Sequence, residues 1–179
     1  MNDHNSDCEF EIDLCRPAPD QRGLRQALGR YATGVCVITT RTPRGRLEGL
    51  TANSFTSVSL DPPLVLWSLR TISPALAGFQ EAGCYAVNVL DISQTHLSRH
   101  FTTPIEDRFA DLPWSPGMDG CPLLHGALAR FECRTEQAIQ AGDHVMFLGR
   151  VQRATYRDGA PLVYANGGYC TATGLAPAG

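Results

Sequence analysis

From residue 24 onward the apolar positions recur with a period that changes along the chain. In "GLRQALGRYATG", Leu24, Leu28 and Tyr31 fall at helical spacing, and Gly34 is placed to stop the helix before "VCVITT", whose β-branched content predicts a strand. "TPRGRLEG" reads as a hairpin turn built on Pro43 and Gly45. "GLTANSFTSVSL" follows as the return strand and its continuation, dense in small hydroxyl and amide side chains, and Asp61-Pro62-Pro63 carries the chain onward. "LVLWSL" (64–69) is apolar on both alternate sets, as expected of a strand covered on both faces. In "SPALAGFQEAG", Ser73 can cap a helix, Pro74 suits its first position, Leu76 and Phe79 face inward and Gly83 ends it. "CYAVNVL" is another strand and "SQTHLSRHF" another capped helix, with Leu97 and Phe101 four apart on one face.

Residues 102–120 hold three prolines and two glycines around Phe109 and Trp114 and predict a long loop, either a functional cover or a variable connection. Beyond it the pattern is β. In "ALARFECR", Ala127, Ala129, Phe131 and Cys133 alternate with Leu128, Arg130, Glu132 and Arg134, a half-buried antiparallel pattern. "HVMFLGRVQRATY" predicts a long strand whose interior Gly149 marks a bulge or a close backbone approach. Turns at Asp158-Gly159 and Asn166-Gly167-Gly168 flank a last strand ending near Tyr164. Six or seven strands with short connections and a few short helices predict a mainly β, barrel-like antiparallel sheet. Residues 1–20, with Asp3, Asp7, Glu9, Glu11, Asp13 and a closing "RPAPD", read as a loosely ordered acidic arm ahead of a single domain at 21–179.

Composition narrows the function classes. At 179 residues, 43% hydrophobic and 18% charged, the chain suits one globular domain, and a formal net charge of -3 gives no cue for a polyanion, so nucleic acid is not an expected partner. No long uncharged apolar run predicts a membrane helix, and the acidic N-terminus does not resemble a signal peptide, which makes the cytoplasm the expected compartment. Seven cysteines without a CxxC pair read as reduced thiols. Cys121, His125 and Cys133 could be imagined as zinc ligands, but their spacing fits none of the usual frames and Cys133 falls on the apolar face of a strand.

Four short segments could carry chemistry. Thr51, Ala52, Asn53 and Ser54 lie between two strands, where free backbone N–H groups beside small side chains admit an anion or a planar polar ring; the alternative is the wet face of an edge strand. "WSLR" (67–70) runs toward Ser73 and a helix start, a natural phosphate platform or simply a capped helix with a solvated arginine. "GDH" (142–144) sets an imidazole at a strand mouth, for a ligand or for an Asp143–His144 contact. "GGY" (167–169) offers close approach and a ring that could stack, or a turn with a core tyrosine. There is no GxGxxG after a strand, no P-loop, no GxSxG elbow and no HExxH, so an enzyme built on this chain would draw its reactivity from a bound organic cofactor.

Taken in order, "LGRYATGVCVITT", "GLTANSFTSVSLDPPLVLWSL", "YAVNVL", "CPLLHGALARFEC", "AGDHVMFLGRV" and "PLVYANGGY" closely resemble the flavin reductase family with the FMN-binding split-barrel fold, across roughly residues 24–170. The resemblance implies an antiparallel split β-barrel, a homodimer with flavin in a groove at the subunit interface, and hydride transfer from NADH or NADPH to FMN or FAD. Reduced flavin then leaves for a separate flavin-dependent monooxygenase. It also implies that Thr51, Ala52, Asn53 and Ser54 line the isoalloxazine ring, and that Trp67, Ser68, Leu69 and Arg70 with Ser73 meet the ribityl-phosphate. His144 and Tyr169 resemble positions near the nicotinamide nucleotide, and Phe101 with the loop after it resembles a cover for the adenine end of FAD. Hydride would pass between two rings held about 3–3.5 Å apart at the reacting atoms, so no protein acid or base is obligatory. A split-barrel flavoprotein that keeps its flavin as a binding or sensing module, or reduces another acceptor such as a corrinoid, remains open at this point.

Overall fold

The computed structural model describes residues 9–172. In chain order the elements are α1 Gln21–Leu28, β1 Thr33–Gly34, β2 Cys36–Arg41, β3 Leu47–Ala52, β4 Thr56–Leu60, β5 Pro63–Arg70, α2 Leu76–Ala82, β6 Cys84–Val89, α3 Thr95–Thr102, β7 Trp114–Pro116, β8 Pro122–Leu124, β9 Ala129–Ala141, β10 His144–Tyr156, β11 Leu162–Ala165 and β12 Gly168–Thr171. Single 3-10 turns cover Ile92–Gln94 and Met118–Gly120. None of the described helices is long and apolar enough to cross a membrane.

Seven antiparallel strands form one sheet in the order β3-β2-β6-β9-β10-β5-β4. Its two outermost strands, β3 and β4, are consecutive in the chain and separated by residues 53–55 alone. Laid flat, seven strands at about 4.8 Å spacing put their edges about 29 Å apart. The chain from Ala52 to Thr56 reaches at most about 14 Å. The sheet therefore has to roll until its edges meet at this corner, which makes it a barrel with a seam.

Alternation along the strands fills the barrel. Val65, Trp67 and Leu69 of β5 point inward with Ile38, Tyr85, Val87, Cys133, Val145 and Phe147. Trp67 stacks on Phe147 at a centroid distance of 4.6 Å and meets Phe79 and Tyr85 edge-on at 5.0 and 5.6 Å. Such aromatic pairs each add about 0.5–1.5 kcal/mol beyond area burial. A second core lies outside the barrel, where α3 and the β1-β11-β12 sheet cover Val35, Val37, Leu90, Leu97, Phe101, Phe109 and Leu162. Gly49 of β3 makes this packing possible, because a Cβ there would sit 2.5 Å from the Phe101 ring.

Several sequence expectations shift. α1 ends at Leu28, capped by Gly29, rather than running to Gly34, which lies in β1; it buries no residue, and Leu28 and Tyr31 are exposed. Asp20, at the end of the predicted arm, caps α1 by accepting the Gly23 N–H at 2.9 Å. Residues 1–8 of that arm lie outside the described residues. α2 begins at Leu76, because the Leu76 N–H closes a turn onto the Ser73 carbonyl first. β5 is covered on one face, with Leu64, Leu66 and Ser68 only half-buried. Glu132, on the set predicted to be wet, is 3% exposed: it accepts the Met118 N–H beneath the 117–118 segment and lies 3.4 Å from Arg153. The 102–120 segment carries β7 and a 3-10 turn and sinks Phe109 into the second core. Gly149 meets both expectations at once: the β9–β10 register shifts between Leu148 and Gly149, and a Cβ there would overlap the Tyr85 hydroxyl.

Candidate functional site

The corner that closes the barrel also frees hydrogen-bond donors. Continuing the β4–β5 register would pair Ser54 with Ser68 through backbone bonds. The Ser54 side chain makes that pair instead: its Oγ accepts the Ser68 N–H at 3.0 Å and donates to the Ser68 carbonyl at 3.2 Å. Among the described residues nothing bonds the backbone N–H groups of Asn53 and Ser54. Thr51, one turn of the pleat earlier, donates its hydroxyl to the Ser98 carbonyl on α3 at 2.7 Å. Ala52 is nearly buried, Asn53 is exposed and Ser54 half-buried, so two main-chain donors stand at the surface with only small groups around them.

A second group gathers where β5 and β10 end. His144 is the cross-strand partner of Arg70, and Met146 of Ser68. The Gly142-Asp143 turn is pinned to the end of β5, since the Thr71 N–H and hydroxyl both donate to the Asp143 carbonyl at 2.9 and 3.2 Å. Next to it the Ser73 N–H donates to the Arg70 carbonyl at 3.0 Å, and the Ser73 Oγ caps the following turn at Ala75. His144 Nδ1 lies 2.8 Å from an Asp143 carboxylate oxygen. That hydrogen bond, helped by the charges of His144 and Arg70, holds the Asp143 carboxyl below the usual range. Arg70, Ser73, Asp143 and His144 thus share one rim, and the turn holding the imidazole is itself fastened.

Tyr169 belongs to another neighbourhood. Its hydroxyl is 2.8 Å from Ser98 Oγ, the Arg99 guanidinium lies 5.8 Å from its ring centroid, and Tyr164 meets it edge-on. Through Ser98, fully buried on α3, Tyr169 is tied to Thr51 rather than to His144. Three residues expected at the ligand have buried side chains. Trp67 is 0% exposed and Leu69 7%, because alternation turns both into the barrel; only Ser68 and Arg70 of that segment present side chains outward. Phe101 is 2% exposed, its ring packed between Gly49 and Phe109.

Sequence reasoning passed over Ser98 and Arg108. Ser98 is one polar residue within a predicted helix, and only the packing of α3 shows it holding Thr51 of β3 and Tyr169 of β12. Arg108 donates to the Gly49 carbonyl at 2.7 Å and, with Glu48, Pro74 and Ile105, borders a groove of about 490 Å³ beside Ser73. No motif announced it, since its partner is a main-chain atom 59 residues away.

No described cluster of His, Cys, Asp and Glu could hold a metal ion. The donor set suits a planar ring carrying hydrogen-bond acceptors, met by the Asn53 and Ser54 amides, and an anionic tail, met by Arg70 and the Ser73 hydroxyl. A flavin mononucleotide has this combination, and the small side chains at 52 and 54 leave it room to approach the backbone.

Comparison with known proteins finds clear relatives. Residues 28–173 match the sequence profile of the flavin reductase like domain. A probable flavin reductase of Rhizobium meliloti (strain 1021) is 47% identical over 152 residues, 85% of this chain and 49% of that protein. The chain therefore spans about half the length of that relative. The FMN reductase (NADH) SmoA of Agrobacterium fabrum (strain C58 / ATCC 33970) is 47% identical over 150 residues, 84% of this chain and 85% of that protein. Among solved structures, the Streptomyces globisporus C-1027 NADH:FAD oxidoreductase SgcE6, in complex with NAD and FAD fragments, superposes with a TM-score of 0.80 at 36% identity, covering 88% of this chain and 94% of that one.

Proposed function

The chain belongs to the flavin reductase like domain family, and on that premise we propose that it is an NAD(P)H:flavin oxidoreductase. It passes hydride from NADH or NADPH to FMN or FAD and delivers reduced flavin to a separate monooxygenase. The observation that supports the reading is the pair of unbonded amides at Asn53 and Ser54, at the corner where the Ser54 side chain replaces the backbone ladder to Ser68. When bound, the flavin supplies the two-electron acceptor and the nicotinamide nucleotide supplies the hydride.

The chain's own residues position and polarise. The Asn53 and Ser54 N–H groups would donate to the polar edge of a bound flavin ring, where negative charge develops on reduction. They cost no reorganisation, because Thr51 and Ser54 are already fixed by their bonds to Ser98 and Ser68. Arg70 and Ser73 bind the phosphate. His144 stands across from Arg70 and is oriented by Asp143, which suits it to the nicotinamide nucleotide. Tyr169 positions Thr51 through Ser98 and presents one ring edge beside it. Rate comes from alignment of two rings, so no side chain has to carry a proton.

The proposal includes a homodimer in which the partner copy supplies the second wall of the groove, since the Asn53 corner is open to solvent in one copy. It places the activity in one domain, 21–179, acting in the cytoplasm without a membrane or nucleic acid partner. Mixing the purified protein with NADH or NADPH and with FMN or FAD in air, and following loss of nicotinamide absorbance, tests the reading. Flavin-dependent turnover is the expected result, and the four pairings rank the cofactors. No turnover in any pairing would reject it.

A further inference from the structure

Two cysteines outside the site lie close enough to react with each other. Cys84 opens β6 and Cys121 follows the 3-10 turn Met118–Gly120; their sulfurs are 3.5 Å apart. Both are buried, yet Cys84 forms part of the wall of a cleft of about 440 Å³ bordered by Arg41, Ala82, Asp119 and Arg134. Asp119 and Arg134 are paired at 2.9 Å, and the Arg41 side chain lies over Gly120. The cleft brings solvent up to the Cys84 side of the pair.

The surroundings of Cys121 differ from those of a packing cysteine. Its sulfur is in hydrogen-bond reach of the Cys84 thiol, the Arg41 backbone N–H and the Thr40 hydroxyl, the last at 3.9 Å. These donors pull the Cys121 thiol down, and the same contact with Cys121 pushes Cys84 up. By contrast Cys36 and Cys133 stand in the barrel interior, where burial pushes each to about 12. The two sulfurs are in direct contact, and Cys121 is the one with a further hydroxyl, that of Thr40, beside it.

We propose that Cys84 and Cys121 form an oxidisable dithiol that hydrogen peroxide converts to a disulfide, fastening the 118–121 turn to the start of β6. The Cys121 thiolate attacks one peroxide oxygen; the O–O bond breaks, Cys121 becomes a sulfenic acid, and the departing hydroxide takes the Cys84 proton to leave as water. The Cys84 thiolate then attacks the Cys121 sulfur; the S–S bond forms, the S–O bond breaks, and the departing hydroxide leaves as a second water with the proton that Cys121 gave to solvent on ionising. Two thiols are oxidised by two electrons in all, and peroxide is reduced to two waters. The source of peroxide rests on the reading above: reduced flavin that misses its oxygenase reacts with dioxygen and yields it.

The test uses the whole protein. After hydrogen peroxide at neutral pH, quenching of free thiols and proteolysis without reductant, a peptide joining Cys84 to Cys121 is expected, about 2 Da lighter than the two thiols and released by dithiothreitol. Cys121→Ser and Cys84→Ser should each abolish it, and Cys36→Ser should leave it. Absence of the joined peptide in the unmutated protein, with its circular dichroism intact and exposed Cys15 oxidised as proof of dosing, would overturn the proposal without relying on any variant. A second sample turns over nicotinamide nucleotide and flavin in air, with and without catalase. The bridge should form and catalase should suppress it. Consumption of nucleotide without the bridge overturns flavin as the source while the dithiol stands; no consumption overturns the reductase reading, and the direct peroxide arm still decides the dithiol.

Discussion

A single methyl group at Gly149 would collide with the hydroxyl of Tyr85, which is 1% exposed and finds no hydrogen-bond partner among the described residues. Neither side can yield, because Tyr85 is held edge-on by Trp67 and β10 is paired on both sides. Gly149→Ala should cost about 1–3 kcal/mol, read from urea unfolding. Tyr85→Phe, which removes the hydroxyl, should recover part of that loss in the double variant; strict additivity of the two changes would contradict the steric account. His144 makes a different residue-scale argument. Because it sits opposite Arg70 and is held by Asp143, His144→Ala should raise KM for the nicotinamide nucleotide roughly tenfold and KM for flavin less than about twofold. Steady-state kinetics decides it, and equal effects on both would remove the nucleotide assignment.

Elements depend on side chains that stand in for backbone. Ser54→Ala deletes both bonds to Ser68 and should lower stability by about 1–2 kcal/mol. It should also raise KM for flavin, since the Asn53 and Ser54 amides lose their fixed orientation; denaturant titration and the flavin assay read the two effects separately. At the start of the 3-10 turn Ile92–Gln94 that leads into α3, Asp91 accepts the Ser93 N–H and hydroxyl at 2.9 and 2.8 Å and Gln94 closes the capping box, while Arg157 reaches the same carboxylate at 2.9 Å. The Ser93 bonds, and after them Arg157, hold Asp91 below the usual carboxyl range. A carboxyl lowered in the folded state binds its proton more readily when unfolded, so its contribution is present above the ordinary value near 3.9 and fades as pH falls through the folded one. Asp91→Asn should therefore flatten the acid side of the stability–pH curve below about pH 5. An unchanged slope in urea melts across that range would show the cap to be unimportant.

Across the whole molecule, the barrel leaves large apolar groups in water: Leu60 is 92% exposed, Tyr156 88%, Tyr31 78% and Ile72 74%. Scattered single residues would need no explanation, but here they accompany an exposed corner at Asn53, the proposed flavin site. Sedimentation equilibrium should find about twice the 19.4 kDa chain mass. Leu60→Asp, an exposed change that leaves the monomer core alone, should shift the protein toward one chain mass and reduce flavin turnover with it if Leu60 lies in the shared interface. A dimeric enzyme unaffected by that change would move the interface away from β4, and a fully active monomer would remove the shared groove.

Local chemistry determined much of this protein from the sequence alone. Period-two alternation set the strands, Gly83 stopped α2 by taking φ +63°, and Asn166-Gly167, both at positive φ, turned β11 into β12. Such features depend on a few neighbouring residues, and so they are written locally. Long-range packing was not. The sequence marked Thr51–Ser54 as small and polar, but whether their hydroxyls faced water or were spent on Ser68 and Ser98 depended on segments 14 and 47 residues away. It likewise put Trp67 and Phe101 beside a ligand, whereas the rolling of the sheet turned one into the barrel and the docking of α3 pressed the other against Gly49. Alternation gives a side chain two faces to choose from. Which face is interior is fixed only when the two edges of the sheet, three residues apart in the chain, are brought together.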